Sequence, residues 1–280
     1  MSRRDLKDRV FTASLVALSI AGIAPLFHLL FVVVSNGLSV VLKAGAGFFT
    51  ETPPSPLSRE LGGIAPSILG SLLLVSMSLP LTIALSLLAS ILAVEFPGSV
   101  FSKLVNSLVR SFASIPTLVV SMVVYATVVV PMGGFSAAAG SVALAIVTLP
   151  YAYTSFYNAL QAVPFEYREA GLSLGMSRWR LVLTVMIPVA RSAVISGILI
   201  SMARAMGETA ALLFTAGRYR SGYSIGVDKP VDALPLLIFD FMLTPFSTFH
   251  EVAWGAAFVL LMMYSAVFIS VKLAVKEVRL

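Results

Sequence analysis

Long apolar segments alternate with shorter polar ones along the chain, and this alternation determines the fold class. Six segments hold the roughly 20 mainly apolar residues that are needed to cross the ~30 Å hydrocarbon core of a membrane. These segments are Phe11–Val34, Ile68–Val94, Phe112–Val130, Ala137–Phe156, Val189–Phe214 and Val252–Val275. Because an α-helix satisfies its backbone hydrogen bonds within one segment, the pattern predicts an all-α integral membrane protein with six transmembrane helices.

Two polar stretches between the spans differ in character. The stretch 35–63 is rich in Pro, Gly and Ser, which predicts a non-helical external loop. The stretch 158–188 mixes apolar and charged residues in a pattern that is typical of short amphipathic helices at a membrane surface. Gly175 stands where one helix can end, and Pro188 where the next can begin. This second stretch therefore predicts a cytoplasmic helix–turn–helix, although its periodicity also suits a helix that only anchors the bundle.

The basic residues indicate which loops face the cytoplasm. The chain has a net charge of +6 and places 13 of its 19 Lys and Arg residues in the segments 1–10, 95–111, 158–191 and 271–280. Lys and Arg concentrate in cytoplasmic loops. The distribution therefore predicts that both termini are cytoplasmic, and it explains the positive charge without nucleic acid as a partner.

Composition excludes several kinds of site. The 280 residues include no cysteine, so disulfides, thiolate metal sites and cysteine nucleophiles are excluded. His28 and His250 have no further ligand at metal-site spacing, and no Gly-rich nucleotide-binding loop occurs. We therefore expect no metal site, no catalytic residue and no cofactor on this chain, which is not predicted to be an enzyme.

The stretch 158–188 resembles the "EAA" loop of ABC-importer permeases. Its residues follow that spacing: Glu169-Ala170-Gly171 comes first, Gly175 follows after three residues, and Val185-Met186-Ile187-Pro188 follows after nine more. Gly171 replaces an alanine of the pattern and weakens a helix by about 1 kcal/mol. The resemblance implies that this loop docks on a separate cytoplasmic ATPase, which would hold the ATP and Mg.

Further motifs resemble the phosphate importer permeases of the PstA type. They lie between Phe48 and Leu261 and read "FFTETPPSP", "GGIAPSILGSLLLV", "AVEF", "SIPTLVVSMVVYA", "RAMGETAALLFTAG", "DKPVDALPLLIF" and "AWGAAFVLL". The resemblance implies a type I ABC importer permease fold in a prokaryotic cytoplasmic membrane. It divides the chain into an N-terminal helix with its external loop, residues 1–62, and a permease core, residues 63–280, that carries the coupling loop 158–188. The implied partners are a second permease, two ATPase subunits, an external phosphate-binding protein and membrane lipid.

Several other functions remain open at this stage. The partner permease of the PstC type shares the Arg-Ala-x-Gly-Glu-Thr stretch, and permeases for sulfate or molybdate share the docking loop. A stand-alone proton-coupled transporter could use an intramembrane glutamate, but it has no ATPase for the loop to engage.

The ionisable residues inside the fifth predicted span bear on the substrate. Arg204 and Glu208 are four residues apart, so a helix places them on one face. They form either a structural ion pair or part of an oxyanion pathway, since arginine matches phosphate oxygens bidentately. A carboxylate can accept a hydrogen bond from protonated phosphate, whereas sulfate has no proton to donate. Thr209 and Ser201 offer hydroxyl donors, or bond back to their own helix.

Overall fold

The computed structural model describes residues 3–56, 58 and 60–277, and this part of the chain contains helices and no β-strand. The ends of the predicted terminal segments, 1–2 and 278–280, and the external Arg59 lie outside the described residues. The α-helices are α1 Arg3–Ala44, α2 Gly47–Thr50, α3 Ala65–Glu95, α4 Val100–Ser114, α5 Thr117–Val124, α6 Val130–Met132, α7 Ala137–Gln161, α8 Phe165–Ser173, α9 Arg178–Leu181, α10 Ile187–Val189, α11 Arg191–Met206, α12 Leu234–Met242 and α13 Ser247–Glu277. Two π-helical turns, Tyr125–Val129 and Val182–Met186, connect α5 to α6 and α9 to α10.

The membrane-spanning elements agree with the predicted six. Four helices of the described part are long and apolar enough to cross a membrane, and they contain Lys7–Ala44, Ala65–Glu95, Ala137–Gln161 and Ser247–Ser270. Two helix pairs pass the same test only together, because each is sharply bent: Val100–Ser114 with Thr117–Met132, by 104°, and Arg178–Val189 with Arg191–Met206, by 80°. Counting each bent pair as one span gives six.

The predicted boundaries are wrong at three of the spans. The first helix continues to Ala44 instead of ending at Val34, and it ends where Gly45 adopts a left-handed φ of 64°. The third span does not run straight from Phe112, because Pro116 keeps Ile115 extended and breaks the helix there. The fifth span ends at Met206 rather than Phe214.

Hydroxyl side chains join α3 to α7 at the centre of the bundle. Thr82 and Thr148 place their hydroxyl oxygens 3.0 Å apart, and Ser86 Oγ donates to the carbonyl of Leu149 at 3.2 Å. All three hydroxyl residues are buried. Such small polar side chains allow close helix approach and hydrogen-bond across the contact in apolar surroundings. The two helices therefore form a tightly joined pair.

The last span packs against the N-terminal helix α1 and, at one end of the bundle, against α12. Gly37 of α1 leaves room for α13, since a Cβ there would lie 2.3 Å from Cβ of Phe258. Phe249 of α13 stacks on Phe241 of α12, with ring centroids 4.2 Å apart. Phe48 is fully buried at the same end. This end of the bundle therefore has its own apolar core.

Candidate functional site

The loop between α7 and α11 has the predicted helix–turn–helix form. Pro164 precedes α8, and α8 ends at Ser173. Gly175 then turns the chain with a φ of 76°, a left-handed conformation that glycine adopts without steric cost. Ser177 caps α9 through its Oγ, which accepts the N–H of Arg180. The predicted turn at Gly175 is confirmed.

The motif residues of α8 divide between its two faces. Glu169 and Ala170 are exposed, whereas Gly171 is buried against α9. A Cβ at Gly171 would lie 2.4 Å from Cδ1 of Leu181, which is itself fully buried. The glycine that departs from the motif is therefore a packing residue, and it lets α8 approach α9.

The prediction that the next helix begins at Pro188 is wrong. Pro188 lies inside α10, which continues directly from the π-helical turn Val182–Met186. The chain then bends by 80° at Ala190, and α11 begins at Arg191. Pro188 has no N–H to donate to the preceding turn, and that turn is π-helical instead of α-helical.

Two arginines of the loop bind the C-terminal end of α3. Arg178 Nη1 donates to the carbonyl of Glu95 at 2.8 Å, and Arg168 Nη1 reaches the carbonyl of Val94 at 3.5 Å. Arg168 Nη2 also forms an ion pair with Oε1 of Glu95 at 3.5 Å. Because the C-terminus of a helix carries partial negative charge, both guanidinium groups stabilise it.

Glu95 is the buried partner in this junction. Its Oε1 is buried without a hydrogen-bond partner among the described residues, and Glu95 lines a cavity of about 470 Å³ together with Phe165, Leu172 and others. The sequence analysis included Glu95 only within the motif "AVEF" and gave it no role. Its end of α3 contacts residues 74 and 83 positions away in the chain, and such contacts leave no local sequence pattern. These contacts join the loop directly to the end of α3.

The predicted pair of Arg204 and Glu208 forms, although not within one helix. Arg204 Nη2 lies 3.0 Å from Oε2 of Glu208. The helix ends at Met206, so Glu208 approaches Arg204 from the turn that follows. Glu208 is 5% exposed, whereas the side chain of Arg204 is 38% exposed. The pair therefore presents its positive member to the outside of the chain.

Two tyrosines surround Arg204. The guanidinium carbon lies 5.1 Å from the ring centroid of Tyr151 on α7, which is a cation–π distance. Tyr264 of α13 donates its hydroxyl to the carbonyl of Ala203 at 2.7 Å, so it braces the end of α11. Arg204 Nε is buried and has no hydrogen-bond partner among the described residues. The sequence offers no signal for either tyrosine.

The two hydroxyl candidates have different surroundings. Ser201 is buried, and its Oγ donates to the carbonyl of Gly197 at 2.7 Å, which is bonding back to its own helix. Thr209 is half-buried in the turn after α11, where its carbonyl accepts the N–H of Leu212 at 3.1 Å. Of the two, only Thr209 stands next to Glu208 outside a helix.

An ion-pair network fixes the long segment 207–233. Arg220 donates to both carboxylate oxygens of Asp232, at 2.9 and 3.0 Å, and to Asp240 at 2.8 Å. Arg218 donates to Asp240, and Ser67 of α3 donates to the buried Asp232. Burial lowers the pKa of Arg220, but the hydrogen bonds to Asp232 and then Asp240 raise it by more, so the guanidinium keeps its charge. Asp232 and Asp240 are therefore structural residues rather than parts of a solvated loop.

Sequence comparison agrees with this architecture. Residues 86–274 match the family described as "Binding-protein-dependent transport system inner membrane component". A protein of Methanocaldococcus jannaschii, named "Probable phosphate transport system permease protein PstA", is 38% identical over 98% of this chain and 95% of its own length. This chain belongs to the PstA family of transport permeases. The family consists of membrane components of transport systems, not of enzymes.

Other relatives of the permease come from distant organisms. The "Phosphate transport system permease protein PstA" of Yersinia pestis is 32% identical over 90% of this chain and 84% of its own length. The "Phosphate transport system permease protein PstA 1" of Mycobacterium tuberculosis is 30% identical over 95% of this chain and 87% of its own length. The similarity to PstA proteins therefore covers nearly the whole permease.

A solved structure shows the same fold at low sequence identity. A chain of the MetNI methionine ABC transporter in an inward-facing conformation superimposes with a TM-score of 0.61. The match covers 76% of this permease and 96% of that chain, at 17% identity. The permease therefore has the type I ABC importer permease fold that was predicted, and it is a multi-pass membrane protein.

Proposed function

We propose that this permease is a membrane subunit of an ATP-driven phosphate importer in a prokaryotic cytoplasmic membrane, with both termini cytoplasmic. The observation that carries the proposal is the buried carboxylate of Glu208, 3.0 Å from the partly exposed guanidinium of Arg204. The names of the relatives, which are phosphate transport system permeases, support the choice of phosphate.

The partners follow from the family. A second, PstC-type permease completes the pathway, an external phosphate-binding protein delivers the anion, and two cytoplasmic subunits bind ATP and Mg and hydrolyse the nucleotide. This chain holds no cofactor, contacts membrane lipid and has no role for nucleic acid. Residues 1–62 form an N-terminal helix and external loop, and residues 63–280 form the permease core.

The loop 158–188 transmits the ATPase movement. Glu169 and Ala170 face outward from α8, where an ATPase subunit can contact them. Gly171 and Gly175 set the shape of the helix–turn–helix, and Pro188 lies in the bent connection to α11. A stroke at α8 therefore reaches α11 directly along the chain, and it reaches α3 through Arg168 and Arg178.

The Arg204 site binds the anion without holding it too firmly. The guanidinium donates to phosphate oxygens, and the carboxylate of Glu208 competes for the same donors, which permits release. The unused Nε donor of Arg204 supplies a further hydrogen bond when the side chain turns. Glu208 accepts the hydrogen bond of a protonated phosphate, so the pair distinguishes phosphate from sulfate. Thr209 adds a hydroxyl at the same turn.

Uptake by the reconstituted importer tests the proposal. Labelled phosphate uptake into proteoliposomes is measured with the wild-type chain, with Arg204→Gln and with Lys229→Gln, which removes an exposed positive charge from the external segment as a matched control. We expect phosphate uptake to fail only in Arg204→Gln, while co-purification shows that the complex is intact. Uptake that persists in Arg204→Gln would make the Arg204–Glu208 contact a structural ion pair.

Two further measurements separate the alternatives. If the permease carries another oxyanion, excess sulfate or molybdate will reduce the uptake of labelled phosphate. We expect neither anion to reduce it. A protonophore abolishes uptake by a proton-coupled secondary transporter. We expect phosphate uptake by this importer to continue in the presence of the protonophore for as long as ATP is supplied.

A further inference from the structure

Helix α4 has three distinct faces. Ser102, Val105, Asn106 and Val109 form its protein-facing side, which is buried or half-buried. A second face is apolar and exposed, and its residues are Phe101, Leu104, Leu108 and Phe112. A third face is polar and exposed, and its residues are Lys103, Ser107, Arg110, Ser111 and Ser114. At 100° per residue the centres of the three faces are about 105 to 135° apart.

The protein-facing side fixes α4 against the cytoplasmic ends of two spans. Ser102 Oγ donates to the carbonyl of Ala93 at 3.3 Å, and the hydroxyl of Tyr153 donates to Oδ1 of Asn106 at 2.9 Å. Val109 packs in one cluster with the same Ala93 and Tyr153. Two turns of α4 therefore remain at one level of α3 and α7, so α4 crosses these helices instead of running along them.

The following half-span fixes the depth of α4. The helical stretch Thr117–Met132 is bent by 104° from α4. At about 1.5 Å per residue this stretch is about 24 Å long, which is shorter than the ~30 Å hydrocarbon core. Since only Ile115 and Pro116 separate the two helices, α4 cannot stand far from the membrane boundary.

We propose that α4 lies in the headgroup plane of the membrane and binds anionic lipid through Lys103 and Arg110. Protein, acyl chains and headgroups are the three surroundings of such a helix, and they match its three faces. Lys103 and Arg110 are seven residues apart, two helical turns on one face, so both reach the same lipid surface. Only the choice of the cytoplasmic leaflet rests on the proposed function.

The absence of cysteine from the chain makes depth measurement direct. Single cysteines replace Leu104 or Leu108 on the apolar face and Ser107 or Ser111 on the polar face, and each carries a nitroxide in the assembled importer in phosphatidylcholine–phosphatidylglycerol vesicles. The measurement is how strongly each nitroxide is relaxed by oxygen, which concentrates in the acyl chains, and by a water-soluble nickel chelate. We expect oxygen to relax the labels at 104 and 108 more strongly, and the nickel chelate to relax those at 107 and 111 more strongly. Immobile apolar-face labels that neither reagent reaches would show a protein partner instead, and four nickel-accessible labels would place α4 in water. Either result overturns the proposal.

A second measurement tests the anionic lipid. A fluorophore at Leu104→Cys is quenched by brominated phosphatidylglycerol or by brominated phosphatidylcholine, which gives the preference between the two lipids. We expect phosphatidylglycerol to be preferred, by about fivefold for each basic side chain that contacts it, and the preference to disappear in Lys103→Gln/Arg110→Gln. The matched control is Lys43→Gln, which removes a positive charge from the last turn of α1, away from α4. An equal preference in wild type and in the double variant would overturn the assignment to anionic lipid. This readout needs no transport, so it is independent of which ion the permease carries.

Discussion

Arg178 donates a hydrogen bond of 2.8 Å to the main-chain carbonyl of Glu95 and so joins α9 of the coupling loop to the last turn of α3. The guanidinium also lies over the ring of Phe96, with 5.2 Å between its carbon and the ring centroid. Two kinds of contact therefore hold one side chain at the end of a span. Under the proposed function, this contact offers the ATPase stroke a second route into the membrane, through α3.

We expect Arg178→Gln to weaken this route. A charge-assisted hydrogen bond contributes about 1.5–3 kcal/mol, less where it is partly exposed, so phosphate uptake per ATP hydrolysed falls by roughly two- to tenfold. Both rates are measured in the same proteoliposomes. Arg180→Gln, on the same short helix, is the control and retains its coupling. Equal coupling ratios in the two variants would show that the contact with Glu95 is not used.

Glu169→Lys tests the exposed face of α8. The side chain faces outward, where a docked ATPase would meet a reversed charge, and like-charge contacts at an interface cost several kcal/mol. We expect uptake to fall at least about tenfold while ATP hydrolysis continues and the permease remains in the membrane. Glu166→Lys, in the first turn of the same helix, controls for the charge change alone. Unchanged uptake in Glu169→Lys would remove the docking assignment.

Gly171→Ala restores the alanine of the motif but places a Cβ 2.4 Å from Cδ1 of Leu181. Overpacking of this kind costs about 1–3 kcal/mol. We expect this cost to outweigh the roughly 1 kcal/mol that alanine gains over glycine in a helix, and so to lower the melting temperature of the assembled importer. Leu181→Val should recover part of the loss in the double variant. Gly134→Ala is the control, because no atom lies within 4 Å of its Cβ position. A melting temperature that Gly171→Ala leaves unchanged would mean that Leu181 moves aside freely.

Glu208→Gln separates release of the anion from its binding. The amide no longer competes as an anion for Arg204, so phosphate should bind more tightly and leave more slowly. We expect a lower KM together with a maximum uptake rate reduced by about tenfold, in line with the loss of a hydrogen bond between charged groups. Sulfate should become a better competitor as well. An increase in KM with an unchanged maximum rate would contradict this role of Glu208.

Asp232→Asn tests the external network. Asp232 is 1% exposed and accepts two hydrogen bonds from Arg220. The neutral amide removes a charge-assisted contact and leaves Arg220 with Asp240 as its remaining carboxylate partner, at a cost of about 1.5–3 kcal/mol. We expect a clear drop in melting temperature and faster proteolysis of the segment 207–233. Asp228→Asn, whose carboxylate is exposed, should change neither quantity.

The number of spans and the helix–turn–helix could be predicted because each depends on a local pattern. A run of apolar residues identifies a span, and Gly175 between two amphipathic stretches identifies a turn. The end of α11 could not be predicted in this way. Residues 211–216 are as apolar as a lipid-facing helix, but Ala211 and Ala216 are fully buried and Ser121 donates its hydroxyl to the carbonyl of Ala211.

Only the contacts between residues that are close in sequence could be predicted for the candidate site. Arg204 and Glu208 were paired correctly because four residues separate them. The contribution of Tyr264, 61 residues from its acceptor Ala203, depends on how α13 packs against α11. The same holds for Glu95 and Arg178. Contacts of this range follow from the assembled bundle and leave no periodicity in the chain.

The hydroxyl contacts between α3 and α7 have a mechanical consequence. Thr82 meets Thr148 near the middle of both helices, and Ser86 is bonded to the backbone of α7 one turn further on. If a pair fastened in this way turns as a single lever, α3 is its longer arm, because 31 residues make it about 46 Å long. If the coupling loop tilts this lever by about 5°, its far end moves by roughly 4 Å. A displacement of that size is comparable to the diameter of a small oxyanion, so under the proposed function a tilt of α3 alone is enough to change the width of the anion pathway at that end.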